Sequence, residues 1–207
     1  MDSKYWDEKY STEEFIYTKV ENRFVVELCG PLDVTGSRRA IELAGGEGRN
    51  SVWLAKQGWH VENVDFSQKA LDKYLAFANE EGVAELCSAN CADALKFVPA
   101  FTPVELAVIG YLQIPEAQLE VATRRLAGYV APGGHLMGVW HSRDNLVSGF
   151  GGPRDPDVLP NVESMTKALE GTGLTIEVLE NREGQIQTKE GLKPSTTLVL
   201  LATRGAE

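Results

Sequence analysis

The sequence of 207 residues is poor in the side chains that staple small domains or hold metals, with 3 cysteines and 3 histidines. Cys29, Cys87 and Cys91 form neither an even disulfide set nor a paired CxxC zinc pattern. His60, His135 and His141 lie far apart, so neither a disulfide scaffold nor a metal site is expected. Positive charge is also scarce: 20 Lys and Arg face 30 Asp and Glu, a formal net charge of −10. Neutralising phosphates needs a basic face, so nucleic acid is not an expected partner. No run of about eighteen apolar residues exists, and no membrane span is expected. The longest uncharged stretch, Leu126 to Ser142, is broken by Pro132, Gly133 and Gly134. Met1 to Phe15 is polar and acidic, without a basic segment leading into an apolar one. A soluble, cytoplasmic chain without a secretory signal is the expectation, its thiols reduced. Repeats and low-complexity linkers are missing too.

What is present is a globular composition, 43% apolar and 24% charged. A chain of this size buries roughly 70% of its unfolded surface, enough for one core, so residues 1–207 are expected to form a single domain. Short β-rich apolar runs alternate with amphipathic helical stretches, the pattern of a parallel sheet wrapped by helices. Strands are predicted at Arg38 to Leu43, Trp59 to Asp65, Ala84 to Ser88, Val104 to Gly110 and His135 to Trp140. Helices are predicted at Asn50 to Gln57, Ser67 to Glu81 with Ser67 as N-cap, Glu116 to Val130 and Val162 to Leu169. Thr175 to Leu179 and Thr196 to Ala202 lack an intervening helix and read as an antiparallel edge hairpin around a polar loop. The fold class is therefore α/β: a Rossmann-like doubly wound sheet of about seven strands, mostly parallel.

Two segments stand outside the alternating core of residues 38–203. Residues 1–31 hold Tyr5, Trp6, Tyr10, Phe15, Tyr17 and Phe24, six of the 17 aromatics, and read as an arm that packs over something. Residues 142–161, with Gly149, Gly151, Gly152 and three prolines, form a loop too long for a plain connection, and such loops are usually functional. Ligands of open α/β sheets bind at the carboxyl ends of the strands, and both segments are placed to reach that edge.

The first strand runs into Glu42-Leu43-Ala44-Gly45-Gly46-Glu47-Gly48-Arg49-Asn50-Ser51, and the second ends in Asp65-Phe66-Ser67. A strand, glycine turn, helix, strand and terminal acid is a nucleotide-binding arrangement. Glycines admit close backbone approach, the helix start offers free N–H groups, and Asp65 can accept from a ribose diol. Gly46-x-Gly48-x-x-Ser51 could also pass as a degenerate dinucleotide fingerprint. Charge argues against that. A pyrophosphate over this turn would meet Glu42 and Glu47, at a cost of several kcal/mol by order of magnitude. A cationic adenosine ligand suits the turn better, and S-adenosyl-L-methionine has that chemistry.

These residues carry a resemblance to the class I S-adenosylmethionine-dependent methyltransferases. Glu42 to Gly48 resembles that family's acidic glycine loop, and Gly48 to Ala55 resembles its tellurite-resistance and thiopurine methyltransferase-like branch. Val61 to Leu71, Ala92-Asp93-Ala94-Leu95, and Leu126 to Leu136 resemble the later motifs, as do Tyr5 to Tyr10 and Tyr17 to Phe24 the branch's N-terminal segment. Departures are Ala44 in place of a first glycine, Glu105 in place of an aspartate, and Gln113 where histidine is common. Ala44 is tolerable if its φ is negative. The resemblance implies a cofactor site of Glu42, Ala44, Gly45, Gly46, Gly48, Asn50, Asp65, Phe66, Ala92, Asp93 and Tyr17. In it Glu42, Gly46 and Gly48 surround the methionine part, Asp65 takes the ribose, Phe66 packs on adenine, and Asp93 accepts from its amino group. Plain core packing of Phe66 and an N-cap role for Asp93 are the competing structural readings.

Transfer from a sulfonium is an in-line displacement on an activated electrophile, so positioning and desolvation suffice and no metal is expected. The catalytic candidates are Tyr111 after the fourth strand and His141 after the fifth, with a small-molecule methyl acceptor. Trp6, Tyr10 and Tyr17 either cap the cofactor or staple the arm. A catalytically idle cofactor-binding protein on the same fold, and a nicotinamide-dependent oxidoreductase, remain as alternatives. The chain is expected to act as a monomer or homodimer.

Overall fold

The computed structural model describes residues 3–34 and 36–206; positions 1 and 2 of the expected arm, position 35 and position 207 lie outside it. Helices α1 (Ser3–Tyr10) and α2 (Arg23–Cys29) precede strand β1 (Arg39–Leu43). Then follow α3 (Arg49–Lys56), β2 (His60–Asp65), α4 (Gln68–Glu80), β3 (Cys87–Cys91) and β4 (Val104–Gly110). The chain closes with α5 (Glu116–Ala127), β5 (Val130–His141), α6 (Asn145–Ser148), α7 (Val162–Leu169), β6 (Leu174–Thr188) and β7 (Gly191–Arg204). Among the described residues no helix is long and apolar enough to cross a membrane.

The strands form one sheet of seven in the order β3-β2-β1-β4-β5-β7-β6. The first five pair in parallel, and β7 runs antiparallel to both β5 and β6. From β1 the chain builds outward through β2 to β3, then returns to lay β4 against the other side of β1. The crevice where this direction reverses, at the carboxyl ends of β1 and β4, is where such sheets bind ligands.

Alternation along the central strands explains the layers. Ile41 and Leu43 of β1 join Leu119, Leu126, Trp140, Met165 and Leu198 in one buried cluster under α5 and α7. Ala40 joins Val25, Leu54, Trp59, Leu106, Val108 and Val139 in a second cluster, under α2 and α3 on the opposite face. A third cluster, with Val52, Leu71, Tyr74 and Phe77, joins α3 to α4. The apolar reading of β4 holds, since it is buried on both faces.

Three elements depart from the sequence reading. Ala84–Leu86 is a 3-10 turn, and the third strand begins only at Cys87. The helix after β4 stops at Ala127, and Pro132-Gly133-Gly134 lie within β5 as a bulge: Val104 pairs with Val130 but Leu106 already with His135. The polar loop between the last two strands is itself strand: Arg182 to Thr188 pairs with Gly191 to Thr197, carrying the hairpin well past its expected end. The second half of the aromatic arm packs into the core, where Phe24, Val25 and Cys29 are buried.

Candidate functional site

At the crevice the backbone is bent hard. Ala44, Gly46 and Gly48 have φ of 58°, 55° and 81°, and Tyr111, just beyond β4, has 56°. The sequence reading of Ala44 required a negative φ, and the structure corrects it. Its N–H donates to the Val64 carbonyl at 2.7 Å, which holds the residue left-handed at a cost of about 1–2 kcal/mol. Gly45 and Gly48 are required by packing as well, since a Cβ would sit 2.4 Å from Asn63 Oδ1 and 2.0 Å from Tyr74 Cδ2 respectively.

The three acids divide their tasks. Glu42 is 1% exposed and accepts from Asn50 Nδ2 at 2.8 Å and Ser51 Oγ at 2.5 Å; burial raises its pKa against the pull of those bonds. Asp65 ends β2 with Oδ2 accepting from the Gly46 N–H at 3.0 Å and Oδ1 from that of Ser67 at 2.9 Å. Burial raises its pKa too, opposed by those N–H groups. Each Asp65 oxygen keeps a second lone pair, which a ribose diol needs. Glu47 is spent differently from the sequence reading: it pairs with Lys73 at 3.0 Å and accepts from the N–H groups of Ile16 and Tyr17. Its neutralised charge no longer opposes a phosphate, so the charge argument rests on Glu42 alone.

On the far side of Asp65, Phe66 and Ala92 are half-buried, and the Ala92 N–H donates to the Asp65 carbonyl at 3.0 Å. Asp93 is exposed and its Oδ1 accepts from the Leu95 N–H at 2.8 Å. No helix starts here, so Asp93 closes a turn rather than capping a helix, with Oδ2 left over.

The arm crosses the whole edge. Asp7 accepts from Ser67 Oγ at 2.6 Å and from the Lys69 N–H at 3.2 Å, seating α1 on the start of α4. Tyr10 is buried, stacks on Trp6 at 5.6 Å, and lies over the glycine loop, its Oη 3.1 Å from where a Gly46 Cβ would stand. Even a methyl at Gly46 would press on that phenol, so the bare loop is what lets Tyr10 pack this closely over it. Tyr17 is 49% exposed; its ring oxygen accepts from Lys9, and its backbone is what holds Glu47. Tyr10 lies over the loop, Asp7 holds the start of α4, and Tyr17 reaches the loop through its N–H bond to Glu47. The signal of Tyr10 and Asp7 in the sequence was weak, one aromatic and one acid among several in a short helix.

Across the crevice stand Tyr111 and His141, ring centroids 4.9 Å apart. The long loop closes on them: a Cβ at Gly152 would lie 2.5 Å from His141 Cγ, and one at Gly151 2.7 Å from Ile186 Cδ1 of the extended hairpin. Asn145 and Arg154 hold the loop's shape through the carbonyls of Gly149, Phe150 and Gly151. His141 Nδ1 is buried without a partner among the described residues, and burial followed by the Arg49 charge lowers the ring's pKa. Gln113 turns away to the Val158 carbonyl. Sequence reasoning missed Asn22. Its side chain caps α2 and donates to Tyr111 Oη at 3.1 Å, and its N–H donates to Asn50 Oδ1 at 2.9 Å. Nothing local marks such a bridge over 89 residues.

No curated protein sequence matches the chain. Among solved structures it is similar to an S-adenosylmethionine-dependent methyltransferase from Methanosarcina mazei, at 13% identity and TM-score 0.68, over 91% of this chain and 100% of that one. TehB from Haemophilus influenzae matches at 14% identity and TM-score 0.69, over 98% and 66%. Magnesium protoporphyrin IX methyltransferase from Synechocystis, solved with its bound demethylated cofactor, matches at 17% and 0.65, over 88% and 80%. At such identities the likeness is one of fold. The sequence model of the thiopurine S-methyltransferase family, however, matches residues 1–119, more than half of the chain. The chain belongs to that family and is an S-adenosylmethionine-dependent methyltransferase.

Proposed function

We propose that the protein transfers the methyl group of S-adenosylmethionine to a small-molecule acceptor by in-line displacement, with the cofactor in the crevice between β1 and β4. The cofactor supplies the chemistry, a methyl group already activated on a sulfonium. Asp65 carries the reading: a strand-end carboxylate oriented by two backbone N–H groups, with lone pairs in hand beside a glycine loop. Asp65 binds the ribose, and Phe66, Ala92 and the free oxygen of Asp93 bound the adenine. Ala44 to Gly48 let the backbone approach the methionine part, while Glu42 and Asn50 hold the loop and the start of α3 in register. Tyr10 and the segment through Tyr17 roof the site and exclude water. On the other side, Tyr111 walls the acceptor, and neutral His141 can take the proton an acceptor sheds. Residues 142–161 and the hairpin tip bound the acceptor space. The residues act as parts of one domain.

Calorimetric titration tests the core of this. S-adenosylmethionine and S-adenosylhomocysteine should bind saturably and nicotinamide dinucleotides should not. Asp65→Ala should weaken both by about tenfold or more, the worth of a charge-assisted hydrogen bond. Dinucleotide binding in place of adenosylmethionine binding would overturn the reading. So would an unchanged affinity in folded Asp65→Ala for the role of that residue.

A further inference from the structure

Arg49 opens α3 right after the glycine loop, half-buried, its guanidinium 5.6 Å from the Tyr111 ring centroid. It makes no hydrogen bond and no ion pair among the described residues. Most other arginines donate to a carbonyl or carboxylate. Arg39 is the exception, and it begins β1 at the opposite end of the sheet. Nearby carboxylates are already committed: Glu42 to Asn50 and Ser51, Glu47 to Lys73 and the arm. In a protein of net charge −10, this half-buried cation at the ligand edge feels the charge of Glu42 yet makes no direct pair with it, so its donors are left to give.

Tyr111 offers a second donor at the same place. The orientation of Asn22 is fixed, because its Oδ1 accepts from the Phe24 N–H at 2.9 Å, so it is Nδ2 that donates to Tyr111 Oη. The phenol oxygen is therefore an acceptor in that bond, and its own proton is left to give. Asn50 is oriented likewise, with Oδ1 taking the Asn22 N–H and Nδ2 giving to Glu42. This run of bonds with settled directions ends in a free O–H beneath a free guanidinium.

We propose that Arg49 and the Tyr111 hydroxyl form a subsite for a carboxylate or similar oxyanion. The proposal rests on the reading of the crevice as a methyl-transfer site. Two sources carry this chemistry: the α-carboxylate of the cofactor's amino-acid end, or an anionic methyl acceptor. Planar guanidinium and phenol together suit a two-oxygen anion.

The test compares wild type with Arg49→Gln and Tyr111→Phe by calorimetry, with circular dichroism to confirm folding. S-adenosylhomocysteine and 5′-methylthioadenosine share the adenosine thioether, and the second lacks the amino acid. If the cofactor's carboxylate is held, Arg49→Gln weakens S-adenosylhomocysteine about tenfold or more and leaves 5′-methylthioadenosine within about twofold. If an anionic acceptor is held, S-adenosylhomocysteine is unaffected. Benzoate or sulfate, titrated into protein saturated with it, then binds wild type and loses about tenfold or more in the variant. Tyr111→Phe should follow the same pattern with a smaller loss, about fivefold. Equal weakening of both adenosine ligands, or no change with any of these probes, overturns the proposal. Failure of wild type to bind either adenosine ligand would sink the cofactor reading instead, and benzoate and sulfate titrated into the ligand-free protein would still decide this one.

Discussion

The two banks of the crevice are built in opposite ways. The cofactor bank, from β1 to α4, is one continuous stretch whose parts are neighbours in sequence: Gly46 bonds to Asp65, Asn50 and Ser51 to Glu42. The acceptor bank is assembled from afar. Tyr111, His141, Gly152 and Ile186 come from four elements, and Asn22 reaches over from the arm. The family match stops at residue 119, so it spans the first bank and leaves most of the second outside. On the proposed roles, damage to the cofactor bank should strike stability and cofactor affinity together, and damage to the loop that closes the acceptor bank should spare cofactor affinity.

The largest effect is expected at Gly48. A methyl there meets Tyr74 at 2.0 Å and must also sit at φ 81°. Left-handed strain and overpacking add to about 2–5 kcal/mol, read as a drop in the urea midpoint with an unchanged slope. Gly48→Ala should also lose most of its S-adenosylhomocysteine affinity. A folded variant with wild-type stability would show that α4 yields and that this bank is softer than its packing implies.

Gly152→Ala is the matching change on the other bank. Its methyl would press on His141 at 2.5 Å, with φ 73°. The KM for the acceptor should rise about tenfold, while the dissociation constant for S-adenosylhomocysteine stays within about twofold. A parallel loss of cofactor affinity would abolish the distinction between the banks.

The same contrast explains what was legible. The glycine turn, the Ser67 cap and Asp65 are local patterns, and the structure reproduces the elements around them almost residue for residue. The long hairpin was read short because Glu183 to Ser195 is polar and its strands bury little; the signal was the tight turn at Thr188 to Gly191 between alternating side chains. The bulge in β5 was read as a turn because Pro132-Gly133-Gly134 serves either purpose. Glu47 was misjudged because its partners Ile16, Tyr17 and Lys73 are brought to it only by the fold.

A smaller effect, of opposite sign, belongs to Ala44. Glycine there releases the left-handed strain of φ 58°, about 1–2 kcal/mol, and gives back about 0.4–1 kcal/mol in unfolded-chain entropy. Ala44→Gly should therefore stabilise by about 0.5–1 kcal/mol without weakening the cofactor, since the loop keeps its path. A loss of stability would mean that the Ala44 methyl packs usefully and that the strain is smaller than its φ suggests.

The smallest expected effect is a slope in pH, and the acceptor bank's share of it comes from His141. Burial, and behind it the Arg49 charge, hold the His141 imidazole below its ordinary value of 6.5, whereas the unfolded chain keeps that value. Above pH 6.5 both states are neutral at this residue, and it contributes nothing to the pH dependence. As pH falls through 6.5 the unfolded chain takes up the proton first, so stability declines until the folded pKa is passed and then levels off. His135, lowered by burial as well, adds a similar decline. Glu42 and Asp65, raised by burial, act the other way, because the folded state then protonates before the unfolded one. The informative quantity is therefore the difference between wild type and His141→Gln, which should be flat above pH 6.5 and slope below it. If His141 also takes the acceptor's proton, the acid limb of kcat/KM should lie below pH 6.5 and vanish in the variant. A difference curve that stays flat below pH 6.5 would mean that the imidazole is hydrated when folded and that the loop does not seal this bank.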